Sequence, residues 1–328
     1  LKSIIFLNQF KINTYEEFER LAIKMFNVHF KKNLVYNKYC KLLGISPSKI
    51  KKLIKMPFLP IQFFKTHKVV SNSKKHKLIF ESSGTSGIKS KHFVINTSLY
   101  EKSFRTAFKK FYGSPSDYIF LALLPSYIEK KNSSLIYMVN DFIKSSNYDE
   151  SKFYMYDYIN LFNILQRLKN SGTKTILFGV THALIDFLGK FKVEMKNLII
   201  IETGGMKGFK KEISRDELHL ILKKGFGTEN IHSEYGMTEL FSQSYSIKNG
   251  IFKSPPWMKV FVRDTTNPLS SKRSGKGAIN IIDLANENSC PFLATDDIGK
   301  VYPDGSFKII GRLMESEIRG CNLMFDSH

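Results

Sequence analysis

IFESSGTSGIKSK, residues 79–91, is the stretch on which the fold turns. A short β-like run leads into six residues, 82–87, that are only serine, threonine and glycine, and Lys89 and Lys91 follow. Glycine lets the backbone approach a ligand closely and present N–H donors. The hydroxyls add further donors and the lysines bring mobile positive charge, a combination that suits a polyphosphate. The spacing is not that of a Walker loop, which would set lysine directly behind the second glycine and ahead of a helix. Taken alone, SSGTSG reads equally as a solvent-facing turn.

Outward from this loop the pattern alternates. β-like runs at 78–80, 118–124, 175–178 and 198–201 are separated by helix-period stretches at 97–111, 134–145, 157–170, 181–190 and 214–224. Strand and helix in alternation predict an α/β fold with mainly parallel sheet. Beyond Pro255-Pro256 the texture changes to short strands with glycine and aspartate turns, and Asp304-Gly305 is a strong hairpin signal. Upstream, 15–43 reads as one helix with Thr14 as N-cap, an apolar stripe of Phe18, Leu21, Ala22, Met25 and Phe26, and Gly44 as its stop. In MPFLPIQFFKTHKVV (56–70) two prolines forbid a regular helix, and Phe58, Phe63 and Phe64 need burial. The expected organisation is a basic helical segment at 1–50, an α/β core at 51–255, and a smaller β-rich subdomain with a short tail at 256–328.

Of 328 residues, 42% are hydrophobic, which excludes a disordered chain. Lys and Arg number 50 against 29 Asp and Glu, a formal charge of +21. Only eight of the fifty are arginine, which argues against nucleic acid, since base and phosphate readers lean on the bidentate Arg fork. The charge is also uneven: residues 1–112 carry 23 basic and 5 acidic side chains, the remainder 27 and 24. Cys40, Cys290 and Cys321 form no paired framework and no zinc-ligand spacing, which suits a reducing compartment. No apolar run approaches the roughly 18 residues needed to span a bilayer, and the opening LKSIIFLNQFKI is too short and too charged for a signal peptide. The expectation is a soluble, cytoplasmic protein.

The second signal is IHSEYGMTEL, residues 231–240. SSGTSG followed at this distance by YGMTE resembles the pattern of the adenylate-forming superfamily of acyl-CoA synthetases, luciferases and nonribosomal adenylation domains. ETGGMKG (202–208), TDDIG (295–299) and Gly311-Arg312 resemble further motifs of that superfamily in the same order. Within it, PFLPIQFFKTHKV, ETGGMKG and the terminal SEIRGCNLMF are similar to the acyl-protein synthetase family of the LuxE type, over roughly residues 50–328. The resemblance implies the adenylate-forming N-terminal-domain fold with a truncated C-terminal domain. It implies ATP and Mg2+ as cofactors and a carboxylic, fatty acid as substrate, activated as the acyl-adenylate and captured by a cysteine of the same protein. The implied partner is an acyl-CoA reductase of the LuxC type, and the basic N-terminal third would suit docking of an acidic partner such as that reductase or an acyl carrier protein.

By the same resemblance, Ser82, Ser83, Gly84, Thr85, Ser86 and Gly87 would wrap the β- and γ-phosphates, with Lys89 and Lys91 adding charge. Thr238 would bond the α-phosphate and Glu239 would hold Mg2+. Tyr235 and Gly236 would flank the adenine, Gly204 and Gly205 would lie against the base or acyl group, Asp297 would accept from both ribose hydroxyls, and Arg312 would reach the ribose or phosphate. Cys321 would carry the acyl group, beside a glycine and near Arg319. Taken singly, Glu239 and Asp297 also read as surface carboxylates, Tyr235 as a core aromatic and Arg312 as a solvated strand end. Cys40 and Cys290 read as buried small hydrophobes. The chain departs from the superfamily where Leu313, Met314 and Glu315 replace the GRxDD continuation and where the mobile lysine-bearing domain would follow. A partner or the tail is expected to complete the site. The competing readings are a ligase of the phenylacetate-CoA type and a basic nucleic-acid or partner-binding protein on a degenerate adenylating scaffold.

Overall fold

The computed structural model describes residues 9–71, 75–83, 87–125, 132–204, 213–267 and 269–313. Helix α1 (Tyr15–Lys32) opens on a capping box: the Thr14 hydroxyl accepts from Glu17 N at 3.1 Å, and Glu17 accepts from Thr14 N at 3.2 Å. Its apolar stripe of Phe18, Ala22, Met25 and Phe26 is buried. The single helix expected over 15–43 is in fact two. Asn33, buried and extended at φ −91° and ψ 104°, ends α1 and caps α2 (Leu34–Leu42) by accepting from Tyr36 N at 3.1 Å. Its amide donates to Ser289 O at 2.7 Å, so a side chain that competes for backbone bonds breaks the helix where a distant carbonyl needs a donor. Gly44, at φ +64°, stops the chain in the left-handed region.

The proline-rich segment is irregular apart from a two-residue strand, β1 (Leu59–Pro60), and one turn, α3 (Phe63–Thr66). Phe58 and Phe64 are buried as their apolarity requires. An antiparallel hairpin of β2 (Leu78–Glu81) and β3 (Lys91–Val94) brackets the Ser/Gly loop.

The alternating part forms a sheet of six strands: β4 (Ile119–Leu123), β5 (Lys152–Phe153), β6 (Thr175–Val180), β7 (Leu198–Thr203), β8 (Ile231–Tyr235) and β9 (Ser244–Ser246). The order is β5-β4-β6-β7-β8-β9; the first five are parallel and only β9 runs antiparallel. Every residue of β4 and β6 is buried, as the nearly unbroken apolar text of a two-sided parallel sheet demands. The helices of this part are α4 (Thr97–Tyr112), α5 (Ser134–Ser145), α6 (Tyr158–Leu168), α7 (Thr181–Leu188) and α8 (Arg215–Phe226).

The second sheet contains β10 (Met258–Arg263), β11 (Ser271–Lys272), β12 (Gly275–Asp283), β13 (Phe292–Val301) and β14 (Phe307–Arg312). Its order is β1-β13-β12-β10-β11, with β14 on β13, and β1 adds to it in parallel. The Asp304-Gly305 turn joins β13 to β14 with Gly305 at φ +83°. Trp257, fully buried, donates its indole N–H to Ser103 of α4 at 3.1 Å and to Ser242 at 2.9 Å, tying helix, loop and sheet together. Among the described residues no helix is long and apolar enough to cross a membrane.

Candidate active site

Parallel strands deliver their C-terminal ends to one edge of the sheet, where open α/β folds bind ligands. Here β7 ends at Thr203 before exposed Gly204, at φ +87°, and β8 ends at Tyr235 before exposed Gly236. A Cβ on Gly236 would meet Glu234 Oε1 at 2.5 Å, so that turn stays bare backbone.

Directly beneath these turns lies a buried acid pair. Glu234 accepts the Thr203 hydroxyl at 2.5 Å. Burial, with Glu202 nearby, pushes its carboxyl up to about 7 against that hydrogen bond. Burial also opposes ionisation of Glu202, but His219, Arg215 and the Ser233 hydroxyl together outweigh it and hold its carboxyl below the usual range. Arg215 Nε donates to Glu202 Oε1 at 3.1 Å and His219 Nε2 lies 3.6 Å away. His232 is stacked on Tyr112 and burial lowers its pKa to about 4.

Residues 236–243 form a shelf held from three directions. His92 of β3 meets Thr238 O at 2.8 Å, and Asn286 donates to Glu239 O at 2.7 Å. Asp283 accepts from Phe241 N and Ser242 N, both at 2.9 Å, and from the Ser242 hydroxyl at 2.6 Å. Thr238 is half-buried and Glu239 only 5% exposed, on backbone that cannot drift.

Where β8 meets β13, Tyr235 donates its hydroxyl to Asp297 Oδ2 at 2.8 Å, and Arg312 Nε lies 3.2 Å from Asp297 Oδ1. Cross-strand register puts Asp297 opposite Arg312. The sequence suggests Asp297 as an acceptor for two ribose hydroxyls, whereas here Oδ2 already accepts from Tyr235 and Oδ1 is ion-paired with Arg312. A carboxylate oxygen takes two donors, so each keeps one lone pair for a ligand. The Tyr235 ring packs against both Phe252 and Phe307, which stack on each other.

The Ser/Gly loop closes on itself: Ser90 N donates to the Ser82 hydroxyl and Ser82 N to Ser90 O, both at 3.1 Å. Gly87 is exposed at φ +84°. Lys89 is not a free cation, since its ammonium lies 3.8 Å from Glu81, and Lys91 faces Glu81 across the hairpin. Ser83 is half-buried. Gly84, Thr85, Ser86, Gly205 and Cys321 lie outside the described residues. Cys40 and Cys290 are buried free thiols, as expected.

Of the expected residues, Tyr235, Asp297 and Arg312 come together directly. Ser82 is bonded by Ser90 N, and the carbonyl of Thr238 is met by His92 two residues further along. Sequence reasoning missed Glu202, Thr203, Glu234, Arg215, His219 and His92. The acidic pair had one available signal, a glutamate next to the last residue of each of two adjacent fully or nearly buried strands, of which only β7 is apolar in text.

A parallel sheet whose β7 and β8 glycine turns meet an antiparallel sheet through Tyr235 and Asp297 has the fold of the adenylate-forming ligases. The solved structure of 2-hydroxyisobutyryl-CoA ligase with 2-HIB-AMP and CoA in its thioesterification state matches at TM-score 0.67 and 12% identity, over 96% of this chain and 74% of that one. Its open conformation matches at 0.67 and 11%, over 90% and 69%. ATP-bound MatB from Rhodopseudomonas palustris matches at 0.54 and 16%, over 74% and 49%, so the chain spans about half of MatB's length. No curated protein matches the sequence. The family described as "Acyl-protein synthetase, LuxE" matches residues 11–328, and the chain belongs to it.

Proposed function

We propose that this protein uses ATP to adenylate a carboxylic acid, of the fatty acid class, and passes the acyl group to its own Cys321. The contact of Tyr235, Asp297 and Arg312 beside the Gly236 turn carries the reading, because three separate nucleotide motifs meet there. A carboxylate is a poor acyl donor, since its leaving group would be oxide. Attack of a carboxylate oxygen on the α-phosphorus forms the acyl phosphate bond and breaks the bond to the β-phosphate, releasing pyrophosphate. The Cys321 thiolate then attacks the acyl carbon, the C–O bond to AMP breaks, and a thioester remains.

Ser82, Ser83, Gly84, Thr85, Ser86 and Gly87 hold the β- and γ-phosphates through hydroxyls and backbone N–H groups, and Lys89 exchanges Glu81 for phosphate. Thr238 donates to the α-phosphate, where charge develops. Gly204, Gly205 and Gly236 offer bare backbone to the base, and the remaining lone pairs of Asp297 accept from the ribose. The Glu239 carboxylate, a hard oxygen donor, would hold Mg2+, which when bound would neutralise phosphate charge. The acyl group then leaves for an acyl reductase of the LuxC type.

The test is acid-dependent ATP–pyrophosphate exchange over carboxylic acids of graded length, with intact-mass detection of acylated protein. Wild type exchanges and gains an ATP-dependent adduct, while Cys321→Ser exchanges without an adduct. An adduct surviving in C321S overturns the cysteine assignment, and absence of exchange with every acid overturns adenylation. Acyl-CoA formation with no protein adduct favours a CoA ligase instead.

A further inference from the structure

His92 sits on β3, two residues beyond the Ser90 that closes the Ser/Gly loop, and is 1% exposed. Its Nδ1 is 2.8 Å from the Thr238 carbonyl oxygen. A carbonyl oxygen only accepts, so Nδ1 must carry the proton. Burial keeps the ring neutral by lowering its pKa to about 4, although the bond to Thr238 works the other way. Nε2 is therefore a bare acceptor, and among the described residues it is buried without a hydrogen-bond partner. The ring is also clamped. Phe241 stacks on it at 4.7 Å and 19°, and Phe64 of α3 meets it edge-on at 5.7 Å and 75°. A residue that only filled space here would be apolar, since an unpaired buried acceptor is unfavourable. Among the described residues, the Nδ1 bond is the one hydrogen bond that this side chain makes in return.

We propose that His92 is a positioning residue for adenylation: its Nδ1–H fixes the Thr238 carbonyl, and so the Thr238 hydroxyl, against the strand that leaves the triphosphate loop. The inference rests on the role given to Thr238 above. One strand then carries both the closure of the Ser/Gly loop, at Ser90, and the anchor of the α-phosphate donor. The loop that grips the β- and γ-phosphates and the group that meets the α-phosphate keep a constant separation. A step whose charge develops at the α-phosphate depends on that separation more than ground-state binding of ATP does.

The test compares His92→Leu, His92→Asn and His92→Gln in acid-dependent pyrophosphate exchange, with thermal unfolding of each. Asparagine carries its amide nitrogen on Cγ, as histidine carries Nδ1, and so can restore the donation; the glutamine nitrogen sits one atom further out, nearer the Nε2 position. H92L is expected to lower kcat about tenfold, equivalent to about 1.4 kcal/mol, with KM for ATP changed less than about twofold. H92N recovers most of kcat and H92Q does not. Wild-type kcat in H92L overturns the proposal, as do equal kcat values in H92N and H92Q, which remain informative if H92L fails to fold. Thr238→Ala separates the two readings. Exchange at the wild-type rate in T238A removes the role of Thr238, whereas a slow T238A beside a normal H92L removes only that of His92.

Discussion

Glu202 and Glu234 share one buried layer under the glycine turns, yet their carboxyls are driven in opposite directions. Glu202 has the His219 ring, the Arg215 guanidinium and the Ser233 hydroxyl for company, while Glu234 has one hydroxyl and a carboxylate neighbour. The unfolded chain releases the Glu234 proton near the ordinary value of 4.5, and the folded chain holds it to about 7. Between those values the folded state binds more protons, so this group makes stability fall as pH rises, with no further loss above about 7. Glu234→Gln keeps an acceptor for Thr203 and removes the charge. The variant's Tm relative to wild type is expected to climb from pH 5 to pH 7.5 and then level, by an amount worth a few kcal/mol at most. A difference independent of pH, measured by thermal scans, would contradict the shift. Neither glutamate was legible as a pair, because their separation depends on the β7–β8 register, which no local pattern states. By contrast Asp297 and Arg312 stand in motifs that the sequence names, yet neither their ion pair nor the Tyr235 hydroxyl on Asp297 was legible.

At the scale of elements, the alternating text was read well because each piece carries its own periodicity. Helix α5 spans the residues expected, and β6 and β7 merely run two residues longer than their apolar cores suggested. The failure was the helix expected over 15–43. Its break at Asn33 depends on Ser289, 256 positions away, and nothing within the helical window reports that carbonyl. β1 was hidden for a similar reason, since Leu59-Pro60 becomes a strand only by lying against Leu293 and Ala294. Asn33→Ala removes the cap of α2 and the amide donor to the buried Ser289 carbonyl, which among the described residues keeps only its contact with His29. The expected loss is roughly 2 to 4 kcal/mol in equilibrium urea unfolding. A change below about 0.5 kcal/mol, the range of ordinary surface substitutions, would mean that the break is held by packing alone.

Across the whole molecule the charge is as segregated as the sequence suggested, and the fold gives part of it an address. Residues 20–80 contain fourteen lysines and one arginine and no acidic side chain. On α2, Leu34 (82% exposed), Lys38, Lys41 and Leu42 (78% exposed) fall at positions i, i+4, i+7 and i+8, one solvent-facing stripe. Exposed leucines framed by lysines have the anatomy of an interface, with an apolar centre and a charged rim, and under the proposed function the sign of the rim would suit an acidic docking surface on the acyl acceptor. The stripe carries none of the residues assigned to adenylation, so its charge should act on delivery and not on chemistry. Lys38→Glu with Lys41→Glu is expected to slow acyl transfer from the labelled protein to a LuxC-type reductase by about tenfold at low salt. The defect should shrink as ionic strength rises and the screening length falls to about 8 Å. Pyrophosphate exchange by the same variant should match wild type. Parallel loss of exchange and transfer would place the effect on ATP, and unchanged transfer at low salt would remove the stripe from acceptor docking.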